Sequence, residues 1–174
     1  MRRPGAVVLL AVTGLLVGGC GSATSGAPAR PAVGDASAVD MCTILTDAEL
    51  SGLGIDLSSR EQVDELGVVG CGWVGKPITL RLERDEDTVA EYVERRDEPA
   101  FKSFRENRVN GRAGVQFGVR TSGEQCVQLM DGGPVSLAVA VALVFGVAPA
   151  ELDPCAEALR IAEMIEPRLP EAGT

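Results

Sequence analysis

Residues 126–145 read CVQLMDGGPVSLAVAVALVF, and this stretch decides the fold. Asp131-Gly132-Gly133-Pro134 is a tight-turn signal between two apolar runs, which predicts a β-hairpin. A strand directs successive side chains to opposite faces, so the second run predicts one face of large residues and one of small residues. The large residues are Val135, Leu137, Val139, Val141, Leu143 and Phe145, and they alternate with Ser136, Ala138, Ala140, Ala142 and Val144.

The second run could also be taken for a membrane-spanning segment, because it carries no charge. It is too short for that role, since a spanning helix needs about 20 apolar residues. Its β-branched residues and the turn before it favour a central, buried strand.

Alternating apolar residues predict further strands ahead of the hairpin. Residues 68–74 are mostly apolar, and residues 78–83 alternate in the pattern of a half-buried strand. Val115, Phe117 and Val119 repeat that alternation. Residues 55–67 are polar and mixed, which predicts a loop.

Three helices are predicted from local signals. Thr46-Asp47-Ala48-Glu49 has the form of a capping box and starts a short helix. Helical spacing from Asp87 predicts a second helix that Pro99 stops. Asp153-Pro154 places an N-cap before Pro at the first position of a third helix. The residues expected to face the core are Leu50 and Leu53, then Val89, Tyr92 and Val93, then Leu159, Ala162 and Ile165.

The predicted order of elements is helix, two strands, helix, three strands, helix. This order is typical of an α+β domain with a mainly antiparallel sheet and helices packed against it. We place this single domain at residues 41–170, followed by a tail at residues 171–174.

Five cysteines occur in the chain, and four of them predict two disulfides. Cys42, Cys71, Cys126 and Cys155 lack the C-x-x-C spacing of redox and zinc sites, and a four-cysteine zinc site is the competing interpretation. The hairpin brings Cys126, at the start of its first arm, near the end where the second arm leaves towards Cys155. Of the three possible pairings, this favours Cys126 with Cys155 and Cys42 with Cys71.

The fifth cysteine, Cys20, ends an N-terminal leader. Arg2 and Arg3 precede an apolar run at residues 6–17, as in a signal peptide, which we place at residues 1–19. The leader ends in Val17-Gly18-Gly19-Cys20, which resembles the lipobox of bacterial lipoprotein precursors. That resemblance implies a diacylglyceryl lipid on Cys20 and a lipid-anchored location on the extracytoplasmic face of the cell membrane. A plain leader followed by a stray cysteine is the alternative.

Residues 20–40 join this anchor to the domain. They are mostly small residues and proline, and we expect a flexible tether. Loss of Arg2 and Arg3 with the leader leaves fourteen basic against twenty-five acidic side chains, a formal charge of −11. Phosphate backbones repel an acidic chain, so we expect no nucleic-acid partner.

Several kinds of chemistry are excluded because the chain contains no histidine. Ser-His-Asp and Cys-His catalysis and the usual catalytic zinc sites all need an imidazole. Residues 70–75, GCGWVG, match the dinucleotide-binding pattern, but a strand follows where that pattern needs a helix. Asp85-Glu86-Asp87 is the densest acidic cluster and lacks the spacing of an EF-hand loop. We therefore predict no catalytic residue, no cofactor and no metal site.

Two further features bear on binding. Residues 102–120 carry a local excess of positive charge, which is one way to bind an anionic envelope ligand. The alternative is a solvated loop in which these charges do not converge. Trp73, the one tryptophan, follows a cysteine on a predicted strand, which indicates core packing rather than a sugar platform. The basic residues are Lys102, Arg105, Arg108, Arg112 and Arg120.

Short motifs along the chain together resemble a known family. They are the lipobox, Cys42 followed by Ile44-Leu45-Thr46 and Glu49-Leu50, Cys71-Gly72-Trp73, Val109-Asn110-Gly111-Arg112-Ala113, and Asp153-Pro154-Cys155. In these motifs residues 41–169 are similar to actinobacterial lipoproteins that share a domain of unknown function, the one numbered 3558. The resemblance implies a cell-envelope lipoprotein and supplies no catalytic residues.

Two functions from different classes remain. The first is a membrane-tethered binding or interaction module for an envelope ligand or a partner protein, which is not an enzyme. The second is a hydrolase or lyase of the cell envelope that uses carboxylates and needs two acids converging in a cleft. Paired, buried acids would favour the enzyme, and a deep apolar pocket would favour ligand binding.

A Cys20→Ser variant tests the assignment of the cysteines. Because Cys20 is the odd cysteine, we expect the variant to lose the lipid, to fail to partition into detergent and to retain two disulfides. Detergent-phase partitioning and a thiol count by mass spectrometry measure these outcomes. A pair of free thiols in the folded variant would contradict the assignment.

Overall fold

Seven antiparallel strands form one sheet in this computed structural model, which describes residues 34–120 and 124–171. The strands are β1 (Glu61–Glu65), β2 (Val68–Val74), β3 (Ile78–Asp85), β4 (Phe101–Val109), β5 (Arg112–Val119), β6 (Gln125–Asp131) and β7 (Ser136–Leu143). Their order across the sheet is β1-β2-β3-β7-β6-β5-β4. The helices are α1 (Asp47–Gly52), α2 (Val89–Glu94) and α3 (Pro154–Ile165), with 3-10 turns at Leu57–Ser59 and Glu166–Arg168. The predicted fold class is confirmed.

The predicted hairpin lies at the centre of this sheet. β6 pairs with one side of β7, and β3 pairs with the other side. Leu137, Val139 and Val141 are completely buried. Strand β7 is thus the central, buried strand that its sequence predicts.

Helix α3 and the segment that contains α1 cover one face of the sheet, which we call the helix face. The large residues of β7 lie on this face beside Leu80 and Leu82 of β3. On the opposite face, which we call the open face, α2 packs against β5 and β6. The main core lies under α3, where four of its residues are completely buried: Ala158, Ile161, Ala162 and Ile165.

The predicted capping signals start α1 and α3. Thr46 and Glu49 make both hydrogen bonds of a capping box, and the Cys155 amide donates to Asp153 Oδ1 at 2.8 Å. Helix α2 is shorter than predicted: it ends at Glu94, well before Pro99. In the part of the chain that the structure describes, no helix combines the length and the apolar character needed to cross a bilayer.

Both predicted disulfides are present. Cys42 is bonded to Cys71 and Cys126 to Cys155, each across a separation of 29 residues. The first fastens the segment before α1 to β2, and the second fastens the start of α3 to β6. Closing a loop of this length stabilises the fold by about 3.6 kcal/mol in the chain-entropy model.

Buried amides join the sheet to α3 on the helix face. Gln116 and Gln128 are 1% and 0% exposed. Gln116 Nε2 donates to Gln128 Oε1 at 3.1 Å and to the Cys155 carbonyl at 2.9 Å. Gln128 and Asn107 exchange two hydrogen bonds, of 2.9 and 2.7 Å. Because these groups satisfy one another, they fix the packing of α3 rather than offering free polar atoms to a ligand.

Two strands escaped prediction, and both are edges of the sheet. The prediction of a loop at residues 55–67 was wrong, since these residues include β1. Residues 101–109, which contain three of the basic residues singled out in the sequence, form β4. Four of the five residues of β1 are exposed. An edge strand carries charges that keep other chains from pairing with it, and it buries little apolar surface. The alternation that reveals a half-buried strand is therefore weak in both.

A bulge interrupts edge strand β4. Its register with β5 shifts between Lys102 and Arg105, and Ser103 has a φ of +50°. Such a value is uncommon for a residue with a side chain. The bulge bends the edge and breaks its regular row of free amides and carbonyls.

The folded domain begins earlier than predicted. Ala36, within the predicted tether at residues 20–40, is 1% exposed, and its amide donates to the Gly132 carbonyl at 2.9 Å. The boundary before residue 41 was therefore wrong, because the chain joins the core beside the β6–β7 turn. The predicted signal peptide, Cys20 and residues 21–33 of the tether lie outside the described residues, as do residues 172–174 of the tail.

An ion pair ties α1 to the C-terminal end of the domain. Arg168 Nη1 donates to Glu49 Oε2 at 3.0 Å, and the Thr46 amide donates to the same oxygen at 2.8 Å. The Arg168 hydrogen bond, followed by those from Thr46, lowers the pKa of Glu49 from 4.5 to about 2. Ionised Glu49 therefore favours the folded state.

We expect Glu49→Gln to flatten the acid end of the stability profile. A carboxyl with a lowered folded-state pKa adds stability above its unfolded-state pKa, and this stability is lost as the pH falls through the folded-state value. The loss should thus fall between pH 4.5 and about pH 2. Urea unfolding across this range measures it, with Glu151→Gln on an exposed loop as the matched control. Equal acid slopes in wild type and Glu49→Gln would contradict the prediction.

Candidate functional site

The open face is bare over β1, β2 and β3. The strand register places Val63, Val74, Thr79 and Arg81 on this side of the sheet. Val74 is 58% exposed, and the Arg81 side chain is 50% exposed. Because α2 packs on β5 and β6, it leaves this half of the face accessible.

A depression of 370 Å³ lies on this bare area, and we call it the β1–β3 depression. Gly72 forms part of its floor, where a Cβ atom would meet Arg81 Cγ at 3.4 Å, an ordinary contact distance. A side chain at Gly72 would therefore project into the depression without displacing the strands. The lining residues are Ser59, Glu61, Gln62, Val63, Glu65, Gly72, Trp73, Val74, Thr79 and Arg81.

Arg81 and Glu83 form an ion pair beside the depression. Arg81 Nε lies 2.6 Å from Glu83 Oε1, and the Glu83 side chain is only 13% exposed. Within the described residues this oxygen nevertheless lacks a partner with hydrogen-bond geometry. Burial raises the pKa of Glu83, the Arg81 cation opposes the rise, and Asp85 adds to it. The site thus holds a poorly solvated carboxylate next to a half-exposed cation.

Asp85 lies on the same face of β3, and α2 engages it. The Tyr92 hydroxyl donates to Asp85 Oδ2 at 2.6 Å, and burial, followed by this hydrogen bond, raises the pKa of Tyr92. The Arg95 guanidinium lies 4.8 Å from the centre of the Tyr92 ring and donates to Asp87 at 2.5 Å. These contacts hold α2 beside β3, whereas Glu83 is paired with Arg81 of its own strand. No three potential metal ligands gather anywhere in residues 34–120 and 124–171.

The five basic residues singled out in the sequence do not form one cluster. Arg112 is 3% exposed and pairs at 3.0 Å with a glutamate of the C-terminal 3-10 turn. Arg105 and Arg108 are three residues apart on β4, so they lie on opposite faces. Lys102 and Arg120 lie at the far end of the β4–β5 hairpin. The charges belong to a hairpin rather than to a loop, and they do not converge.

Trp73 lies in the core, as predicted. It is 4% exposed and pairs across the strands with Leu80 on the helix face. The glycine-rich pattern at residues 70–75 spans the end of β2 and the turn into β3, with no helix between them. The strand that was expected to follow this pattern is therefore present.

A family model described as "Protein of unknown function (DUF3558)" matches residues 15–168 of the chain. The chain belongs to this family. The match confirms the predicted domain of unknown function, and it extends from before Cys20 into the C-terminal 3-10 turn. No curated protein and no solved structure matched the chain.

The residues of the β1–β3 depression in this DUF3558 protein were missed in the sequence. Arg81 and Glu83 were assigned only to the polar side of a strand, and Gly72 only to a rejected motif and to a motif of the family. Their importance depends on which strands α2 covers, and that is a long-range property. One local signal was available, since Thr88 and Glu91 form a capping box that fixes the start of α2.

We expect Glu83→Gln to remove a loss of stability that sets in as the pH rises. A carboxyl with a raised folded-state pKa favours folding when protonated, so stability falls as the pH rises from the unfolded-state value of 4.5 through the higher folded-state value. Glutamine has the same size and does not ionise. Urea unfolding at acidic and at neutral pH measures the difference, with Glu65→Gln on the exposed strand β1 as the control. A parallel loss in wild type and Glu83→Gln would contradict the prediction.

Proposed function

We propose that this DUF3558 protein is a lipid-anchored binding module of the cell envelope that takes a small ligand in the β1–β3 depression. One observation carries the proposal: a depression on an uncovered sheet face lies beside a half-exposed arginine that is paired with a carboxylate whose side chain is only 13% exposed. Ligand sites commonly have volumes of about 300 to 1,000 Å³ and a few fixed polar groups, and this depression falls at the small end of that range.

The anchor is supported by the lipobox at residues 17–20 and by a family match that includes them. A single acyl chain gives only reversible membrane binding, whereas two give stable anchoring. A diacylglyceryl group on Cys20 carries two chains. It would keep the domain at the extracytoplasmic surface without help from the acidic protein.

The charge of the depression favours a cationic ligand over an anionic one. Glu61, Glu65 and the adjacent Glu83 stand against Arg81, which is a formal charge of −2. An amine can approach these carboxylates, and Arg81 and Thr79 can bind a polar group beside it. The basic residues of β4 and β5 led us to expect an anionic ligand from the sequence, whereas the depression favours a cationic one.

A Gly72→Leu variant tests the site by filling it. Spermidine serves as the cationic probe, and amide chemical shifts report where it binds. We expect wild-type shifts to move in β1, β2 and β3, and binding to weaken at least about tenfold in Gly72→Leu, because the new side chain occupies the depression.

Gly52→Leu is the matched control, since a Cβ atom at Gly52 meets nothing within 4 Å and the position lies in α1. It should bind spermidine as wild type does. Shifts scattered over the surface, or equal binding by Gly72→Leu, would contradict the proposed site.

A carboxylate-dependent hydrolase of the envelope is the second candidate. It is favoured by Glu83 and Asp85, which lie on one face of β3 in unlike surroundings, a pattern found in acid–base pairs. We prefer the binding module over the hydrolase, because Asp85 already accepts a hydrogen bond from the Tyr92 hydroxyl. Release of sugars or peptides from purified cell wall by wild type, but not by Glu83→Gln, would establish the hydrolase. Spermidine binding without such release supports the binding module.

A further inference from the structure

Large apolar side chains are exposed mainly at one end of the sheet. Of the six exposed in the described residues, Leu57, Val74, Phe145 and Val147 lie where β2 and β7 end. Phe145 is fully exposed, and Val147 is 47% exposed. Residues 144–150, VFGVAPA, contain no charged side chain, and we call them the apolar tip.

Backbone hydrogen bonds hold the apolar tip in a turn. The Val144 amide donates to the Pro77 carbonyl at 2.9 Å, and the Val147 and Ala148 amides donate to the Val144 carbonyl at 3.1 Å. Gly146 permits the turn with a φ of +73°. Six of the seven residues of the tip line a cavity of 680 Å³ together with Glu124 and Leu143, and Phe145 is nevertheless fully exposed. The tip is therefore an exposed apolar segment held in a fixed turn.

The chain enters the domain at the opposite end of the sheet. Ala36 is bonded to Gly132 in the β6–β7 turn, whereas the tip follows the other end of β7. The eight residues of β7 span about 26 Å, at about 3.3 Å per residue. Fourteen residues lead from Cys20 to Gly34, and at full extension they reach about 46 to 50 Å. The chain is therefore long enough for Cys20 and the tip to meet the same bilayer.

We propose that the apolar tip inserts into the bilayer surface as a second, reversible membrane contact. The inference rests on the proposed lipid anchor, which keeps a bilayer within reach. An exposed, uncharged apolar segment suits the boundary between lipid head groups and acyl chains, because that boundary demands no complementary shape. The formal charge of −11, from fourteen basic and twenty-five acidic side chains after loss of the leader, gives no attraction to anionic lipid. The contact is therefore apolar and insensitive to salt.

Vesicle flotation of the unlipidated Cys20→Ser chain tests the tip by itself. The vesicles contain phosphatidylcholine and phosphatidylglycerol, and we add Phe145→Ser or Leu66→Ser to this chain. Leu66 is the matched control, because it is 98% exposed in the β1–β2 turn at the other end of the sheet. Phe145→Ser should weaken binding at least about tenfold, as expected from the loss of a buried aromatic side chain. Leu66→Ser should bind as its parent does, and about 0.5 M salt should not release the chain.

Fluorescence in the lipidated full chain gives a second measurement. Trp73 is 4% exposed in the core, so the signal that Phe145→Trp adds reports the surroundings of the tip. Brominated lipids should quench this added emission and should leave that of Leu66→Trp unchanged.

Equal vesicle binding by Phe145→Ser and Leu66→Ser, or no binding by the parent, would overturn the inference. So would unquenched Phe145→Trp in a lipidated chain, which would assign the tip to a protein partner instead. Failure of the proposed lipid anchor can be distinguished from failure of the tip. Absence of diacylglyceryl on Cys20 of the native chain would contradict the anchor, whereas flotation of the Cys20→Ser chain measures the tip independently.

Discussion

Strand β7 has to bury large side chains on one face and small ones on the other, and the remaining elements are arranged around this requirement. Leu137, Val139 and Val141 need a thick apolar layer, which α3 supplies. Ala138 and Ala140 need only a thin cover, so the opposite face has room for the short helix α2 and for a bare area. The pairing of β7 with both β3 and β6 joins the two halves of the sheet.

Covalent and polar contacts then secure the helix face. One disulfide fastens the segment before α1 and the other fastens the start of α3. The amides of Gln116 and Gln128 are satisfied beneath α3, and Arg112 is paired in the core. Because these polar groups of the helix face are hydrogen-bonded within the protein, the polar side chains that a ligand can reach lie on the open face. There the Glu83 side chain is only 13% exposed and is paired with Arg81 of its own strand.

The features that could be predicted from the sequence are those set by neighbouring residues. The turn at residues 131–134, the N-cap at Asp153 and the alternation along β7 depend on local chemistry. The disulfides followed because the hairpin had already fixed the position of Cys126. The two edge strands were missed, since their charges resemble those of a loop. Arg112 resembled a surface cation, because its partner Glu166 is 54 residues away. The β1–β3 depression could not be predicted either, since it exists only where α2 ends its cover of the sheet.

The two free edges of the sheet carry opposite charge. β1 contributes Glu61, Asp64 and Glu65, whereas β4 contributes three basic residues against one acidic residue. Such edges could attract each other between molecules, and a head-to-tail contact of this kind repeats indefinitely into a fibre. The bulge at Ser103 bends β4 out of the register that an incoming strand would need. The bulge therefore leaves less of the β4 edge in a form that can pair with a strand of another molecule.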